Sequence, residues 1–182
     1  APVQQPGNGD NGGDTGGNPA SPGTPGDGKN GVNIAVGATA SSSVDPERGD
    51  LGPSAAIDGK FDTRWSSKPG VDPADLVVDF GTPKTFDHVI MRWENASSAE
   101  YTIDISDDGK VWNTVVGPVV GKGGVDTQTF PVQTSRFVRM NSLKRNTDYG
   151  VSMFEFEVYA AAAPNIIGQP QSQSVTAGQA VN

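Results

Sequence analysis

The 182-residue sequence contains no cysteine and a single histidine, His88. The absence of cysteine excludes disulfide frameworks, thiolate zinc sites and cysteine nucleophiles. One histidine is too few for a multi-histidine metal site and argues against a histidine-based catalytic triad. The sequence also lacks any apolar run near the ~18–20 residues that cross a bilayer, so we expect no membrane span.

Basic residues are the minority among the charged ones. The chain has 13 Lys and Arg against 21 Asp and Glu, a formal net charge of −8. A general nucleic-acid binder needs a basic face that follows the phosphates, so this balance argues against one. The acidity is compatible with a cationic ligand and is also ordinary for secreted domains. Composition therefore favours an acidic, soluble, β-rich module with no nucleic-acid or membrane partner.

Glycine and proline are abundant, at 24 and 14 residues, but unevenly distributed. Residues 1–30 hold nine of the glycines and five of the prolines, whereas all aromatic residues lie between Phe61 and Tyr159. A segment with so little apolar surface does not offset its ordering entropy. We therefore predict a Pro/Gly-rich linker over residues 1–30 and one domain over residues 31–160, near the commonest domain size.

Residues 161–182 are predicted to be a linker followed by a truncated immunoglobulin-like segment. Their NIIGQPQSQSVTAGQAVN run resembles the first strand and turn of an immunoglobulin-like repeat. Too little of that repeat is present to close a sheet. Together with an N-terminal alanine in place of methionine, these features lead us to expect an excised part of a longer, secreted, multidomain chain.

Between these segments, apolar and polar residues alternate with a period of two. In YTIDIS, Tyr101, Ile103 and Ile105 fall on one face, as expected of a half-solvated strand. Asp108 and Gly109 follow and supply hairpin turn chemistry. About eight strands are predicted, at residues 37–44, 76–80, 86–93, 101–106, 111–116, 127–132, 136–140 and 151–159. The pattern predicts an all-β jelly-roll β-sandwich.

Four motifs follow one another in the predicted domain. They are AAIDGKFDTRWSS at residues 55–67, SDDGKVW at 106–112, RFVR at 136–139 and FEFEVY at 154–159. In order and spacing they resemble the discoidin domain, also called the coagulation factor five/eight type C domain, whose carbohydrate-binding branch is family 32 of the carbohydrate-binding modules. The resemblance implies a galactose-binding-like sandwich and a non-catalytic module, carried by a chain with a separate glycoside hydrolase or polysaccharide lyase domain.

The AIDGKFDTRW segment places several hard oxygen donors in one tight loop. Asp58, Asp62 and Thr63 bring carboxylates and a hydroxyl together where Gly59 permits an unusual backbone angle, and such donors suit Ca²⁺. The alternative is an Asx-type turn in which Asp58 bonds its own backbone. The family resemblance implies a structural calcium site. Its ligands here would be the carbonyls of Ala55, Lys60 and Phe154, with Asp58, Thr63 and Glu155.

Carbohydrate recognition combines an aromatic face with planar polar groups. The resemblance places the ligand in loops at one edge of the sandwich, and the candidate loops are residues 45–50, 64–68, 94–98 and 144–150. The predicted carbohydrate-binding residues are Glu47, Arg64, Trp93, Glu94, Arg145 and Tyr149. Trp93 and Glu94 match a pair found in glucan- and chitosan-binding members, whereas the loop histidine of galactose-binding members is absent. We therefore expect a β-glucan or chitosan-type ligand rather than galactose.

Several aromatic residues also have a packing interpretation. Trp65 and Trp112 match core positions of the resembled fold, and Trp93, at a strand end, suits either role. Tyr149 either stacks on a ligand or covers the core. Arg139 is expected to pair with a carboxylate within the sheet.

The leading hypothesis is a calcium-stabilised, monomeric, non-catalytic module that binds a polysaccharide. It would target a linked extracellular enzyme to that polysaccharide through the flexible linker. The alternative is a cell-surface or protein-adhesion discoidin module, although the polar candidate loops and the lack of a cysteine pair differ from membrane-binding members. No pair of carboxylates forms a motif with a base or an oxyanion donor, so independent catalysis is not expected.

Overall fold

The computed structural model describes residues 31–161, which form seven β-strands. They are β1 (Thr39–Ser41), β2 (Trp65–Ser66), β3 (Ala74–Trp93), β4 (Ser98–Ser106), β5 (Asn113–Val120), β6 (Val125–Arg145) and β7 (Ser152–Ala160). Within this range the sole helical element is a 3-10 turn at Pro53–Ala56. No helix within the described residues is long and apolar enough to span a membrane. The predicted linker at 1–30 and nearly all of the predicted segment 161–182 lie outside the described residues.

The two longest strands, β3 and β6, take part in both layers of a sandwich. The first half of β3 pairs with β1 and with the second half of β6, while its second half pairs with β7 and the first half of β6. Register shifts between Asp79 and Lys84 and between Phe86 and His88 mark the bend in β3. The strand order is β2-β7-β3-β6-β4-β5, with β1 paired to β3 off this path. The sheet therefore folds over into the two layers of an antiparallel jelly roll.

The predicted all-β jelly-roll sandwich is confirmed, with differences in the strands themselves. Residues 76–80 and 86–93 belong to one strand, β3, and residues 127–132 and 136–140 both belong to β6. Glycine and proline between the first pair suggested a break, yet the strand continues past Gly81, which adopts a φ of 74°. The two-residue β2 was not predicted, because so short a strand carries no periodicity.

The core lies between the two layers. Its largest fully buried side chains include Trp65, Tyr101, Phe86, Phe156 and Leu76. Trp65 has the packing role that its position in the motif predicted. Phe86 packs edge-on against Phe130, with ring centroids 6.0 Å apart, so that aromatic rings from β3 and β6 meet in the interior.

The outer face of β4 is covered, in contrast to the half-solvated face that the YTIDIS pattern predicted. Thr102, Asp104 and Ser106 are all buried. Arg139 of β6 lies across this face, with its Nε 2.8 Å from an Asp104 oxygen and its guanidinium 4.2 Å over the Trp112 ring. The expected pairing of Arg139 with a carboxylate is thus confirmed. The predicted solvent exposure of this face was wrong, because the long side chain of Arg139 from a neighbouring strand lies across it.

The two ends of the described domain lie side by side. Asn33 and Tyr159 form an antiparallel bridge, and the amide of Ala160 donates to the carbonyl of Val32 at 3.1 Å. From Ala160, β7 runs back to Met153, the partner of the last residue of β3. At ~3.3 Å per residue that distance is about 23 Å, so the chain ends and the end of β3 lie at opposite ends of the sandwich.

One buried carboxylate, Asp126, serves the polar groups of two core aromatics. The indole Nε1 of Trp93 and the hydroxyl of Tyr101 donate to the same Asp126 oxygen at 3.2 and 3.3 Å. The Gln128 amide donates to the Tyr101 hydroxyl at 2.9 Å. Burial and the Asp126 carboxylate raise the pKa of Tyr101 to about 12, so the phenol remains a donor.

We predict that Asp126→Ala lowers the free energy of unfolding by about 1–3 kcal/mol, because it leaves two buried donors without their acceptor. Urea unfolding followed by tryptophan fluorescence measures this change. The exposed Asp45 is the matched control, and Asp45→Ala should alter the same free energy by less than about 0.5 kcal/mol. Equal, small effects of both substitutions would contradict the prediction.

Candidate functional site

The four predicted loops, residues 45–50, 64–68, 94–98 and 144–150, converge at the end of the sandwich where β3 ends and β7 begins. Together they enclose a cleft of about 330 Å³. Its lining residues are Glu47, Arg64, Ser66, Glu94, Asn95, Ala96, Thr147 and Tyr149. Four of the six residues predicted to bind carbohydrate therefore share one cleft.

Hydrogen bonds and a close backbone contact fix these loops to one another. The Glu47 amide donates to the Ser66 carbonyl at 2.8 Å. The Asn146 side-chain amide donates to the Ser97 hydroxyl at 2.7 Å. A Cβ at Gly150 would lie 1.8 Å from the backbone oxygen of Ser67, so glycine is required for this approach of two loops.

The carboxylate of Glu47 is held by a residue of the adjacent loop 64–68, and that of Glu94 by a residue of its own loop. Glu47 accepts the hydroxyl of Ser66 at 3.0 Å. Glu94 accepts a hydrogen bond from the amide of Ala96 at 3.0 Å. This local side-chain-to-backbone bond orients the Glu94 carboxylate. Each carboxylate has two oxygens and several lone pairs, so acceptor capacity remains for a ligand.

Arg64 brings the cation of the cleft. Its Nη1 donates to the hydroxyl of Ser152, the first residue of β7, at 2.7 Å. A guanidinium has five N–H donors, so others remain for hydroxyl or carboxylate groups of a ligand. With Glu47 and Glu94, the charged lining residues sum to one net negative charge.

Tyr149 is the aromatic residue of the cleft and is 66% exposed. This exposure agrees with a ligand-stacking role and not with the alternative, a lid over the core. The Tyr149 amide donates to the Thr147 hydroxyl at 3.2 Å, and the Tyr149 carbonyl accepts Nη1 of Arg145 at 2.9 Å. The ring therefore stands on a fixed backbone at the edge of the cleft.

Trp93 and Arg145, both predicted to bind carbohydrate, do not line the cleft. Trp93 is 4% exposed and belongs to the core, so the prediction of a ligand contact is wrong for its ring. Strand alternation turns Trp93 inward and leaves Glu94 to face the cleft. Arg145 forms an ion pair with Asp72 at 3.1 Å and donates to the Tyr149 carbonyl, so it holds the loop that carries the tyrosine.

Sequence reasoning missed four lining residues, namely Ser66, Asn95, Ala96 and Thr147. All four lie inside the predicted loops, so the loop assignment could have found them. Their small or uncharged side chains gave no separate signal. Ser152, which holds Arg64, lies outside the loops at the start of a predicted strand and carried no sequence signal at all.

The predicted calcium loop is attached to β7 through Glu155. One oxygen of Glu155 accepts the amides of Gly59 and Lys60 at 3.0 and 3.1 Å. Asp58 accepts the Lys60 amide and the Thr63 hydroxyl, both at 2.9 Å. The Asx-type turn considered from the sequence is therefore present, and it also brings the two carboxylates of Asp58 and Glu155 into one place.

The residues of this loop fit a hard cation. Glu155 is 1% exposed, and its Oε2 has no hydrogen-bond partner among the described residues. Burial and the neighbouring Asp58 carboxylate raise the pKa of Glu155 to about 8, so its ionised form is disfavoured unless a cation lies beside it. No group of three or more acidic or histidine side chains suited to a metal occurs within residues 31–161. Two carboxylates supplemented by carbonyls and a hydroxyl would therefore form the donor set.

A jelly roll with a polar cleft built from loops at one end defines a β-sandwich binding module. The chain belongs to the F5/8 type C domain family, whose model matches residues 37–156.

Solved structures of binding modules resemble this domain. Chitosan-binding module 1 of a chitosanase/glucanase from Paenibacillus sp. IK-5 is 39% identical, with a TM-score of 0.68 over 71% of this chain and 99% of that chain. Chitosan-binding module 2 of the same enzyme, in complex with chitotriose, is 32% identical, with a TM-score of 0.68 over 70% of this chain and all of that chain. The family 32 module of C. perfringens NanJ, in complex with galactose, is 24% identical and shares the fold, with a TM-score of 0.58 over 66% of this chain and 92% of that one.

A curated relative is the polysaccharide lyase 8 family protein HylA of Enterococcus faecalis. It is 33% identical over 113 residues, which cover 57% of this chain and 8% of HylA. The chain thus corresponds to less than a tenth of the length of that relative.

We predict that Gly150→Ala disrupts the cleft and lowers the melting temperature, because the added methyl group would overlap the Ser67 carbonyl. Overpacking of this kind costs about 1–3 kcal/mol. Gly49 is a matched control in another cleft loop, since a Cβ there meets no atom within 4 Å. Differential scanning calorimetry should show a clear loss for Gly150→Ala and little change for Gly49→Ala. A melting temperature unchanged by Gly150→Ala would refute the close contact.

Proposed function

We propose that residues 31–160 form a non-catalytic carbohydrate-binding module whose cleft binds a chitosan-type or β-glucan polysaccharide. The observation that carries this proposal is the joint placement of Glu47, Glu94, Arg64 and the exposed Tyr149 ring in one cleft. An aromatic ring offers the apolar face that a sugar ring stacks on, and the charged groups hydrogen-bond its substituents. Identity of 39% to a chitosan-binding module supports the same conclusion.

The charge of the cleft favours a cationic sugar within this ligand class. Two carboxylates, Glu47 and Glu94, outnumber the single Arg64 guanidinium. A glucosamine ammonium would form charge-assisted hydrogen bonds with such carboxylates, and these bonds are stronger than those made by a neutral hydroxyl. The sole histidine, His88, lies within β3 and is stacked on Tyr159, away from the cleft lining, which supports the preference against galactose.

We predict that Glu94→Gln weakens binding of chitotriose by about tenfold or more, because it replaces a charge-assisted hydrogen bond worth about 1.5–3 kcal/mol by a neutral one. Binding of a neutral laminarin oligomer should change less. Isothermal titration calorimetry with both ligands measures the difference. Asp87→Asn is the matched control, since Asp87 lies in β3 near the chain ends and should leave both affinities unchanged. Failure of the unaltered domain to bind any glycan on an array would refute the proposal.

In the full protein, the module would hold a linked polysaccharide-degrading enzyme close to its substrate. A flexible linker such as that predicted for residues 1–30 converts the encounter of enzyme and polymer into an intramolecular one. The relation to a polysaccharide lyase 8 family protein supports a secreted parent chain of this type. The module itself would act as a monomer.

We further propose that Ca²⁺ is the structural cofactor of the loop that Glu155 attaches to β7. The unpartnered Oε2 of the buried Glu155 supports this assignment, because a cation there would compensate its charge. The side chains of Asp58, Thr63 and Glu155 would hold the ion. The carbonyls of Ala55, Lys60 and Phe154 would complete the set.

Calcium is expected to raise the melting temperature of the domain, and a chelator to lower it. At a free calcium concentration of 100 Kd the stabilisation amounts to about 2.7 kcal/mol. Glu155→Gln should abolish the response, whereas Asp62→Asn, an exposed carboxylate of the same loop, should retain it. Differential scanning fluorimetry with calcium, magnesium or chelator measures these shifts. An identical melting temperature in calcium and in chelator would remove calcium from the proposal.

A further inference from the structure

Ser152, the first residue of β7, is joined through its backbone to the loop that carries Glu94. The side chain is 0% exposed. Its amide donates to the Ala96 carbonyl at 2.8 Å, and its carbonyl accepts the Glu94 amide at 3.1 Å. These two bonds continue the pairing of β7 beyond the last residue of β3 and fix the backbone from which the Glu94 carboxylate projects.

The hydroxyl of Ser152 connects the start of β7 to a second cleft loop, residues 64–68. It donates to the Trp65 carbonyl at 3.0 Å and accepts Nη1 of Arg64 at 2.7 Å. Because its hydrogen is directed to Trp65, a lone pair of the hydroxyl is directed to the guanidinium. A free arginine side chain populates many rotamers, and a buried fixed acceptor restricts them before any ligand arrives.

We propose that Ser152 is a positioning residue of the cleft. Its hydroxyl holds the Arg64 guanidinium and its backbone holds the Glu94 loop, so one buried residue sets the spacing between the cation and an anion that face the ligand. The inference rests on the proposed carbohydrate-binding function, but it concerns a residue that does not line the cleft. Its consequence is that loss of a single buried hydroxyl weakens glycan binding without removing any group that faces the ligand.

A double-mutant cycle with chitotriose tests whether Ser152 acts through Arg64. We expect Ser152→Ala to weaken binding about tenfold, and Arg64→Ala to weaken it as much alone as in combination with Ser152→Ala. Ser152→Thr, which keeps the hydroxyl, should bind within about threefold of the unaltered domain. Ser135→Ala is the matched control, because Ser135 is a 1% exposed serine of β6 whose hydroxyl donates to the Ser106 carbonyl, away from the cleft loops. Unchanged affinity of Ser152→Ala, or multiplicative effects in the double variant, would overturn the proposal.

The ¹⁵N-detected spectrum of the Arg64 side chain provides a readout that needs no glycan. With the hydrogen bond to Ser152 in place, slow rotation of the guanidinium should give separate Nη resonances in the unaltered domain, and Ser152→Ala should merge them. Merged Nη resonances in the unaltered domain would refute the positioning role even if the alanine variant were unstable. A domain that binds no glycan but shows separate resonances refutes the proposed function and supports the positioning of Arg64.

Discussion

The pairing of β3 with β6 is the contact on which the rest of the domain depends. Both strands take part in both layers, so this one ladder joins the halves of the sandwich and sets where each half can pack. The end of β3 at Trp93 decides the location of the cleft, because the next residue, Glu94, begins a loop that bonds to the start of β7. A shift of this register by one residue would turn Trp93 outward and Glu94 inward, exchanging a core residue and a cleft residue.

Sequence reasoning predicted elements that depend on local pattern and missed those that depend on distant neighbours. Alternation located the strands, and four charged or aromatic loop residues were correctly assigned to one edge. The ion pair of Arg145 could not be predicted from its own loop, because its partner, Asp72, is far away in sequence. The covered face of β4 likewise depends on Arg139, a residue of another strand. The prediction of two separate strands on either side of Gly81 was wrong for a different reason. A glycine in a bend does not end a strand when the residues on both sides of it remain paired.

Two buried carboxylates show different ways of keeping an acidic group inside a β-sandwich. Asp126 is surrounded by donors from Trp93 and Tyr101, and its hydrogen bonds are made by the protein itself. Glu155 receives two backbone amides on one oxygen and lies beside Asp58, a group of the same charge. The first arrangement is complete within the described fold. The second has an excess of acceptors, which is the property that a cation site requires.

The adjacent chain ends determine how the domain responds to mechanical load. Tension applied through residues 31 and 161 pulls apart two neighbouring segments that are paired antiparallel at Asn33 and Tyr159. In that geometry the hydrogen bonds open one after another, beginning at the chain ends, instead of sharing the force. The loops around Tyr149 lie at the other end of β7 and are outside the path of the force. When the module is pulled between the two stretches of chain that flank it, the pairing at Asn33 and Tyr159 can therefore open first while the loops at the opposite end keep their shape.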